Sequence, residues 1–258
     1  MKKKKILILG INSYIGSYLK KKFPQKLNIY GTSHRKKDLN NKIYFLDLKK
    51  PNINIIKKEM FDVIVLCAGK NNLEFCQNKY KEAFKINYLG IKKVIKKSII
   101  EGIFVIFISS NLVFDGKKKF YKSTDKPSPK SNYGKLKLKV ENFLRKHKKE
   151  SYCILRLTKV YSNKDGLISK WRKKIKLNQV INLDCGFKIS PISIVHVSKY
   201  LLRIILKKTY GIFHLSNKKE FTLKEFLFTK IGQYKKIIIQ NNNYSWRSKH
   251  NSLKIKAP

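Results

Sequence analysis

Apolar residues along this chain gather into short unbroken runs, separated by longer stretches in which apolar positions recur at helical spacing. The runs read "KILILG", "LNIYGTS", "IYFLDL", "DVIVLCAG", "IFVIFISS" and "YCILRLT". Runs of that length, rich in β-branched residues and closed by glycine or polar groups, predict strands buried on both faces. Between them, "YIGSYLKKKF" and the long run from Leu73 to Ile100 predict amphipathic helices. The alternation predicts an α/β fold, a Rossmann-like doubly wound parallel sheet with helices on both sides. After about Thr158 the alternation loosens. There "SIVHVSKYLLRIILKK" predicts a helix, "YGIFHLS" a strand and "TLKEFLFTKIG" a further helix. We therefore expect a Rossmann domain over 1–158. Residues 159–258 should form mostly a smaller, discontinuous C-terminal lobe across the carboxyl ends of the strands, with some elements returning to the first domain.

Composition changes this picture little, and charge changes it more. With 258 residues and 42% hydrophobic content, the chain can bury a full core, which excludes wholesale disorder. Lys and Arg number 60 against 15 acidic residues, a formal charge of +45 that draws anionic ligands. Only six of the basic residues are arginine, at 35, 145, 156, 172, 203 and 247, and the lysines run through the whole chain instead of forming one patch. Arginine is the residue suited to bidentate phosphate and base contacts. We accordingly expect no specific nucleic-acid partner and read the lysine excess as compositional. The four cysteines, Cys67, Cys76, Cys153 and Cys185, show neither a C-x-x-C nor a metal-ligand spacing with the histidines, so reduced thiols and no metal are expected. The basic start "MKKKKILILG" is followed by an apolar run too short for a signal peptide, and no stretch reaches the length of a membrane span. The expectation is a soluble, cytoplasmic protein.

"ILILGINSYIGSYL" reads as a buried strand, a glycine turn and a helix. Gly10 and Gly16 have the spacing of the outer glycines of a G-x-x-G-x-x-G turn, with Ser13 in the middle. In such a turn the first glycine permits the tight bend, and the helix amides face a pyrophosphate. An ordinary strand-to-helix turn fits the same two glycines. At the end of the second strand, "YGTSHRKKD" offers Ser33, His34 and Arg35 where a protein selecting NAD often has an acid. Hydroxyl and basic groups suit a 2′-phosphate, which favours NADPH, with NADH as the alternative. Asp47, ending "IYFLDL", is placed either to meet an adenine amine or to cap the strand end.

The stretch "FISSNLVFDGKKKFYKSTDKPSPKSNYGKLKLKVE" is the most specific in the chain. It resembles the extended short-chain dehydrogenase/reductase family, most nearly the dTDP-4-dehydrorhamnose reductase branch. That branch carries a run like S-T-D-Y-V-F-D-G and then a P-x-x-x-Y-G-x-x-K helix. The matching residues are Ser109, Ser110, Asn111, Val113 to Gly116, Pro129, Tyr133, Gly134 and Lys137. "DVIVLCAG", "FKINYLGIKKV" with Asn87, "ILRLTKVYS" and "ISPISIVHVSKYLL" resemble further family segments, in the same order, from residue 3 to about residue 230.

The resemblance implies an NADPH-dependent reductase of a nucleotide-activated keto sugar, of the 4-keto-6-deoxyhexose type, in surface-polysaccharide precursor synthesis. An NAD-dependent epimerase and a non-catalytic nucleotide-binding relative are the alternatives, and a homodimer is implied. It places the cofactor along Gly10, Ser13, Tyr14, Ile15 and Gly16, then Ser33, His34 and Arg35, then Asp47 and Leu48, then Cys67, Ala68, Gly69 and Asn87. Ser110, Tyr133 and Lys137 are the implied catalytic residues, the last two also binding cofactor. Ser110, Asn111, Phe114, Tyr133 and Arg247 are the implied substrate contacts. Residues four apart on a helix share a face, so Tyr133 and Lys137 both point into one site. A lysine ammonium beside a phenol should lower the tyrosine pKa and make Tyr133 a general acid/base. Asn111 and Leu112 replace the Asp-Glu pair of the family's dehydratases, which argues against that reaction. The sequence departs from the branch at Ser13, Asn111 and Lys159. It also departs where His196 or Lys199 replaces an aspartate, and in a short C-terminal segment in which Arg247 has no fixed register.

Overall fold

Strand β1 (Lys5–Leu9) is KILIL, and everything in it after the lysine is buried. Its side chains alternate between two cores: Ile6 and Ile8 enter one cluster, Leu7 and Leu9 the other. The computed structural model describes residues 3–23, 26–57, 59–181, 183, 186–232 and 248–256. Helix α1 (Tyr14–Lys22) follows β1. After it come β2 (Asn28–Ser33), β3 (Ile43–Phe45) and β4 (Val63–Leu66), then β5 (Phe104–Ser110), α5 (Asn132–Leu144) and β6 (Tyr152–Leu157). Between β4 and β5 lie α2 (Leu73–Asn78), α3 (Tyr80–Phe84) and α4 (Ile91–Ile100). The C-terminal half adds short strands β7 (Val160–Tyr161), β8 (Lys188–Ile189) and β9 (Ile192–Ser193), with α6 (Leu167–Lys176). It ends with α7 (Ile194–Lys207), β10 (Gly211–Leu215), β11 (Phe221–Thr222) and α8 (Leu223–Ile231).

Seven strands form one parallel sheet in the order β10-β6-β5-β4-β1-β2-β3. The chain winds outward from β1 to β3 and then crosses back to β4, so the order reverses between β1 and β4. A crevice opens at such a switch point, beyond the carboxyl ends of the strands. Helices α1 and α7 cover one face, α7 through Val197, Leu201, Ile204 and Ile205. Helices α4 and α5 cover the other, through Val94, Ile95, Val140 and Leu144. Each such buried aliphatic side chain contributes about 1.5–3 kcal/mol, relative to exposure, as an upper figure. In the C-terminal half, β10 pairs with β6 in the main sheet, and α7 packs on the same face as α1. A third cluster joins Ile168 and Trp171 of α6 to Ile189, Phe226 and Leu227.

Two expectations are corrected. The run from Leu73 to Ile100 is not one helix. Lys79, at φ −118 and ψ 51, separates α2 from α3, and Lys85–Gly90 forms a π-helical turn before α4. Apolar spacing continues through both interruptions, so periodicity cannot see them. The strand expected over "IYFLDL" stops at Phe45: the Leu46 N–H still donates to the Ser33 carbonyl at 2.9 Å, but Asp47 then turns the chain, its Oδ1 accepting from the Lys49 amide at 2.9 Å.

Candidate active site

Helix α5 is fixed at its start by Ser131, whose Oγ accepts the Gly134 amide at 3.1 Å. Gly134 lets the helix run against the turn after β5: a Cβ there would lie 2.0 Å from the Leu112 carbonyl oxygen. Through that close approach Tyr133 lines the same cleft as Ser110, the last residue of β5, and Asn111. One turn along α5, Lys137 donates to the Ile108 carbonyl at 2.8 Å. Its Nζ lies 5.6 Å from the centre of the Tyr133 ring and 4.7 Å from that of Phe107.

The electrostatics differ from the sequence expectation. Burial depresses Lys137 to about 8, and burial raises the Tyr133 phenol above its ordinary value. The ammonium is turned to a backbone carbonyl, so desolvation outweighs its help to a phenolate. A phenol held protonated at neutral pH is a proton donor, which suits the reductive direction of a carbonyl reaction.

Behind the pair lies a buried ionic network absent from the sequence expectations. Glu141, one further turn along α5, and Arg156 on β6 are essentially without solvent exposure. Arg156 Nε and Nη2 donate to the Glu141 carboxylate at 3.0 and 2.6 Å, and Ser109 Oγ donates to it at 2.5 Å. Arg156 Nη1 lies 3.2 Å from His214 Nε2, while His214 Nδ1 lies 3.2 Å from the Tyr121 carbonyl. Burial, with the guanidinium beside it, lowers His214 to about 4, so the ring is neutral and accepts from Arg156. The readable signals were a charged residue inside the apolar "ILRL" strand and a glutamate on the buried side of α5.

At the first turn, Gly10 adopts φ +80, and a Cβ there would meet Ala68 at 2.8 Å. The backbone of β1 and that of the loop after β4 thus leave room for no side chain. Ser13 is the N-cap of α1, its Oγ accepting the Gly16 amide at 3.1 Å, and its hydroxyl proton remains available to donate. Gly166, after β7, packs on the Tyr14 ring. Asn87, held in the π-helical turn, clamps Lys70: its Oδ1 accepts from Lys70 N and its Nδ2 donates to Lys70 O, each at 2.8 Å.

These parts enclose a cleft of about 850 Å³. Of the residues singled out in the sequence, Ser13, Tyr14, Ile15, Cys67, Ala68, Gly69, Asn87, Ser110, Asn111, Tyr133 and Lys137 line it. Gly10 and Gly16 shape the turn beneath it. Asp47 is half-buried and caps its own turn, and Leu48 is buried under Gly90. Phe114 is not brought to the cleft. It is 1% exposed, stacks on Tyr121 at 4.3 Å and lies under the Arg156 guanidinium at 5.0 Å. Arg247 lies outside the described residues. His196 sits on Ser193 at the start of α7, with Nδ1 2.7 Å from the Ser193 hydroxyl.

The end of β2 holds a group that the sequence reading passed over. His34 is exposed, whereas Ser33 donates to Asp38 at 2.6 Å, Arg35 Nε donates to the same carboxylate at 2.7 Å and Asn12 Nδ2 at 2.8 Å. The Ser33 hydroxyl first, with Arg35 and Asn12, holds the Asp38 carboxyl below its usual range. Asp38 returns here because a single helical turn after Arg35 folds the chain back. Among the described residues no cluster of side chains suits a metal ion, no helix is long and apolar enough to cross a membrane, and Cys67, Cys76 and Cys153 are free thiols. Burial pushes the Cys67 thiol up to about 12.

The sequence pattern of the family described as "RmlD substrate binding domain" matches residues 4–237. The methionine adenosyltransferase 2 subunit beta of Xenopus tropicalis is 25% identical over 173 residues, 63% of this chain, which spans about half (52%) of that protein. A dTDP-4-dehydrorhamnose reductase of Sinorhizobium fredii is 27% identical over 202 residues, 71% of this chain and 68% of that protein. Among solved structures, dTDP-4-dehydrorhamnose reductase from Bacillus anthracis in complex with NADP superposes with a TM-score of 0.85 at 22% identity, covering 99% of this chain and 92% of that one.

Proposed function

Because the chain belongs to the RmlD substrate binding domain family, we propose that it is an NADPH-dependent reductase of a nucleotide-activated keto sugar, of the 4-keto-6-deoxyhexose type, with NADH as the alternative cofactor. The observation that carries this reading is the meeting of Ser110, Tyr133 and Lys137 in one cleft with the glycine turn of β1, at the switch point of the sheet. The similar Sinorhizobium protein bears the name of such a reductase. The tight turn at Gly10, packed against Ala68, brings the start of α1 to the cleft, and the amides there fit a dinucleotide pyrophosphate.

NADPH, when bound, supplies the hydride. Tyr133, protonated at neutral pH, gives its phenolic proton to the carbonyl oxygen as that oxygen gains negative charge. Ser110 donates a hydrogen bond to the same oxygen from the end of β5. Lys137, cationic below about pH 8, holds the ribose and faces the charge that develops on the phenol. Residues 1–158 form the cofactor half and 159–258 mostly the substrate lobe, whose third apolar cluster backs the cleft. We place the activity in the cytoplasm, in surface-polysaccharide precursor synthesis, and expect a homodimer by light scattering.

The test follows NADPH absorbance with a panel of nucleotide-linked 4-keto-6-deoxy sugars. Oxidation should occur with one of them, and Tyr133→Phe should lower kcat by about a hundredfold or more, the scale of one general acid. NADPH binding without turnover on any sugar would sink the reductase reading. It would favour a nucleotide-binding subunit, and NAD surviving purification would favour an epimerase.

A further inference from the structure

Asn111 opens the turn after β5, directly beside Ser110, and Asn251 belongs to the segment 248–256, which crosses the same cleft. Hydrogen bonds join the two into one line. The Asn251 side-chain nitrogen donates to two backbone carbonyls, those of Lys188 and Ser248, each at 2.9 Å. Its Oδ1 accepts from Asn111 Nδ2 at 2.9 Å. Asn111 Oδ1 lies 3.4 Å from Ser110 Oγ, and Ser110 Oγ accepts the Leu112 amide at 3.2 Å.

The direction of this line is not free. Two carbonyl oxygens are met only by the NH₂ end of an amide, so the backbone fixes which way Asn251 points. Its oxygen then faces Asn111 and requires the NH₂ of Asn111 there. Asn111 Oδ1 is left toward Ser110. The Leu112 amide takes one lone pair of the serine oxygen, and the O–H points to a weak acceptor at long range. A better acceptor placed in the cleft captures that proton readily. The segment carrying Asn251 is itself anchored: Ser252 Oγ accepts from Phe120 N at 2.8 Å, Leu253 N donates to Ser216 Oγ at 3.3 Å, and Ser252 and Leu253 are buried.

We propose that Asn251 and Asn111 are positioning residues, which carry the fixed orientation of the C-terminal segment to the Ser110 hydroxyl so that a keto oxygen in the cleft meets a donor and not a lone pair. This rests on the reductase reading. It gives a physical reason for asparagine at 111. A carboxylate there would set oxygen against Asn251 Oδ1, which cannot turn away, and would hold the Ser110 proton as a strong acceptor.

The test uses the full chain with Asn111→Asp and Asn251→Leu. At about pH 8, Asn111→Asp should lose roughly tenfold or more in kcat with little change in either KM, the loss expected for one hydrogen bond to the developing charge. As pH falls toward about 5, the new carboxyl takes a proton and can donate to Asn251 Oδ1, so its kcat relative to wild type should recover. The cleft around it is lined by Tyr133 and Lys137 on α5 and by Lys70, Lys159 and Lys170, and the His250–Glu220 pair, at 2.9 Å, adjoins Asn251 along the chain. All are present in both proteins, so the ratio isolates position 111.

The melting midpoint gives a second readout that needs no turnover. A carboxyl facing a carbonyl oxygen has a raised folded-state pKa. Its favourable contribution is therefore present at low pH and is lost as pH rises through that value. Asn111→Asp should melt near wild type at about pH 5 and below it at about pH 8. Asn251→Leu, which adds no charge, should lower kcat at all pH values while binding NADPH as wild type does. Wild-type kcat in both variants, or a loss in Asn111→Asp that ignores pH, would overturn the proposal. If the wild type turns over no sugar, the reductase reading fails by itself. The melting difference then decides the pairing: dependence on pH supports it, and a flat difference overturns it.

Discussion

At the scale of single residues, Lys137 in the cleft and Asp38 at the end of β2 carry charges that their neighbours have shifted or redirected. Lys137 is depressed to about 8 by burial, so its ammonium is present at neutral pH and is lost as pH rises through that value. On the reductase reading, kcat/KM for NADPH should therefore fall above about pH 8. Lys137→Arg, whose guanidinium does not titrate in that range, should remove this limb whatever its absolute rate. Asp38 places a carboxylate at the end of β2, between Ser33 and Arg35, where a 2′-phosphate would come. Replacing it with asparagine keeps the hydrogen bonds to Ser33 and Asn12 and frees Arg35. Asp38→Asn should thus raise the preference for NADPH over NADH by roughly fivefold, the scale of one exposed charge contact. Steady-state kinetics with both cofactors would show it, and an unchanged ratio would remove Asp38 from the selection. The sequence made Arg35 visible but not Asp38, because the turn that folds position 38 back onto 33 has no hydrophobic signature.

At the scale of elements, the strand signals were legible because burial on both faces leaves unbroken apolar runs, as in "ILIL" and "FVIFI". The helix between β4 and β5 was legible only as a region. Its breaks at Lys79 and at the π-helical turn cost no apolar position, yet the turn is what presents Asn87 to Lys70. The tie between α5 and β6 was not legible, since Glu141 and Arg156 acquire meaning only when sheet and helix are stacked. Removing one partner leaves a buried charge without compensation. Arg156→Leu should cost about 3–5 kcal/mol, whereas Glu141→Leu combined with Arg156→Leu should recover most of it. Urea unfolding of the three proteins measures this. Equal losses in the single and the double variant would mean that the pair does not act as a unit. Because Ser109 donates to Glu141 and precedes Ser110, the single variant should also lower kcat, through displacement of the end of β5.

At the scale of the whole molecule, the charge of +45 acts in two opposite ways that salt separates. Lysines spread over one compact chain repel one another, and this repulsion favours the expanded state. The cleft is lined by Lys70, Lys137, Lys159 and Lys170 and, among the described residues, by no carboxylate, so the same field that strains the fold gathers anionic ligands. Screening shortens both effects, with a Debye length of about 10 Å at 0.1 M. Raising sodium chloride from about 20 to about 200 mM should therefore raise the melting midpoint. On the reductase reading, the same change should lower kcat/KM for a nucleotide sugar and leave kcat almost unchanged, because the transfer steps would take place inside the cleft. Lys170→Gln distinguishes a local field from a global one. If the cleft lysines do the steering, this variant loses a visible part of the salt slope of kcat/KM. If the whole surface does, one charge among so many changes it little, and the lysine excess is the compositional background that its even spread along the sequence suggests. A melting midpoint that falls with salt would contradict the repulsion on which both expectations depend.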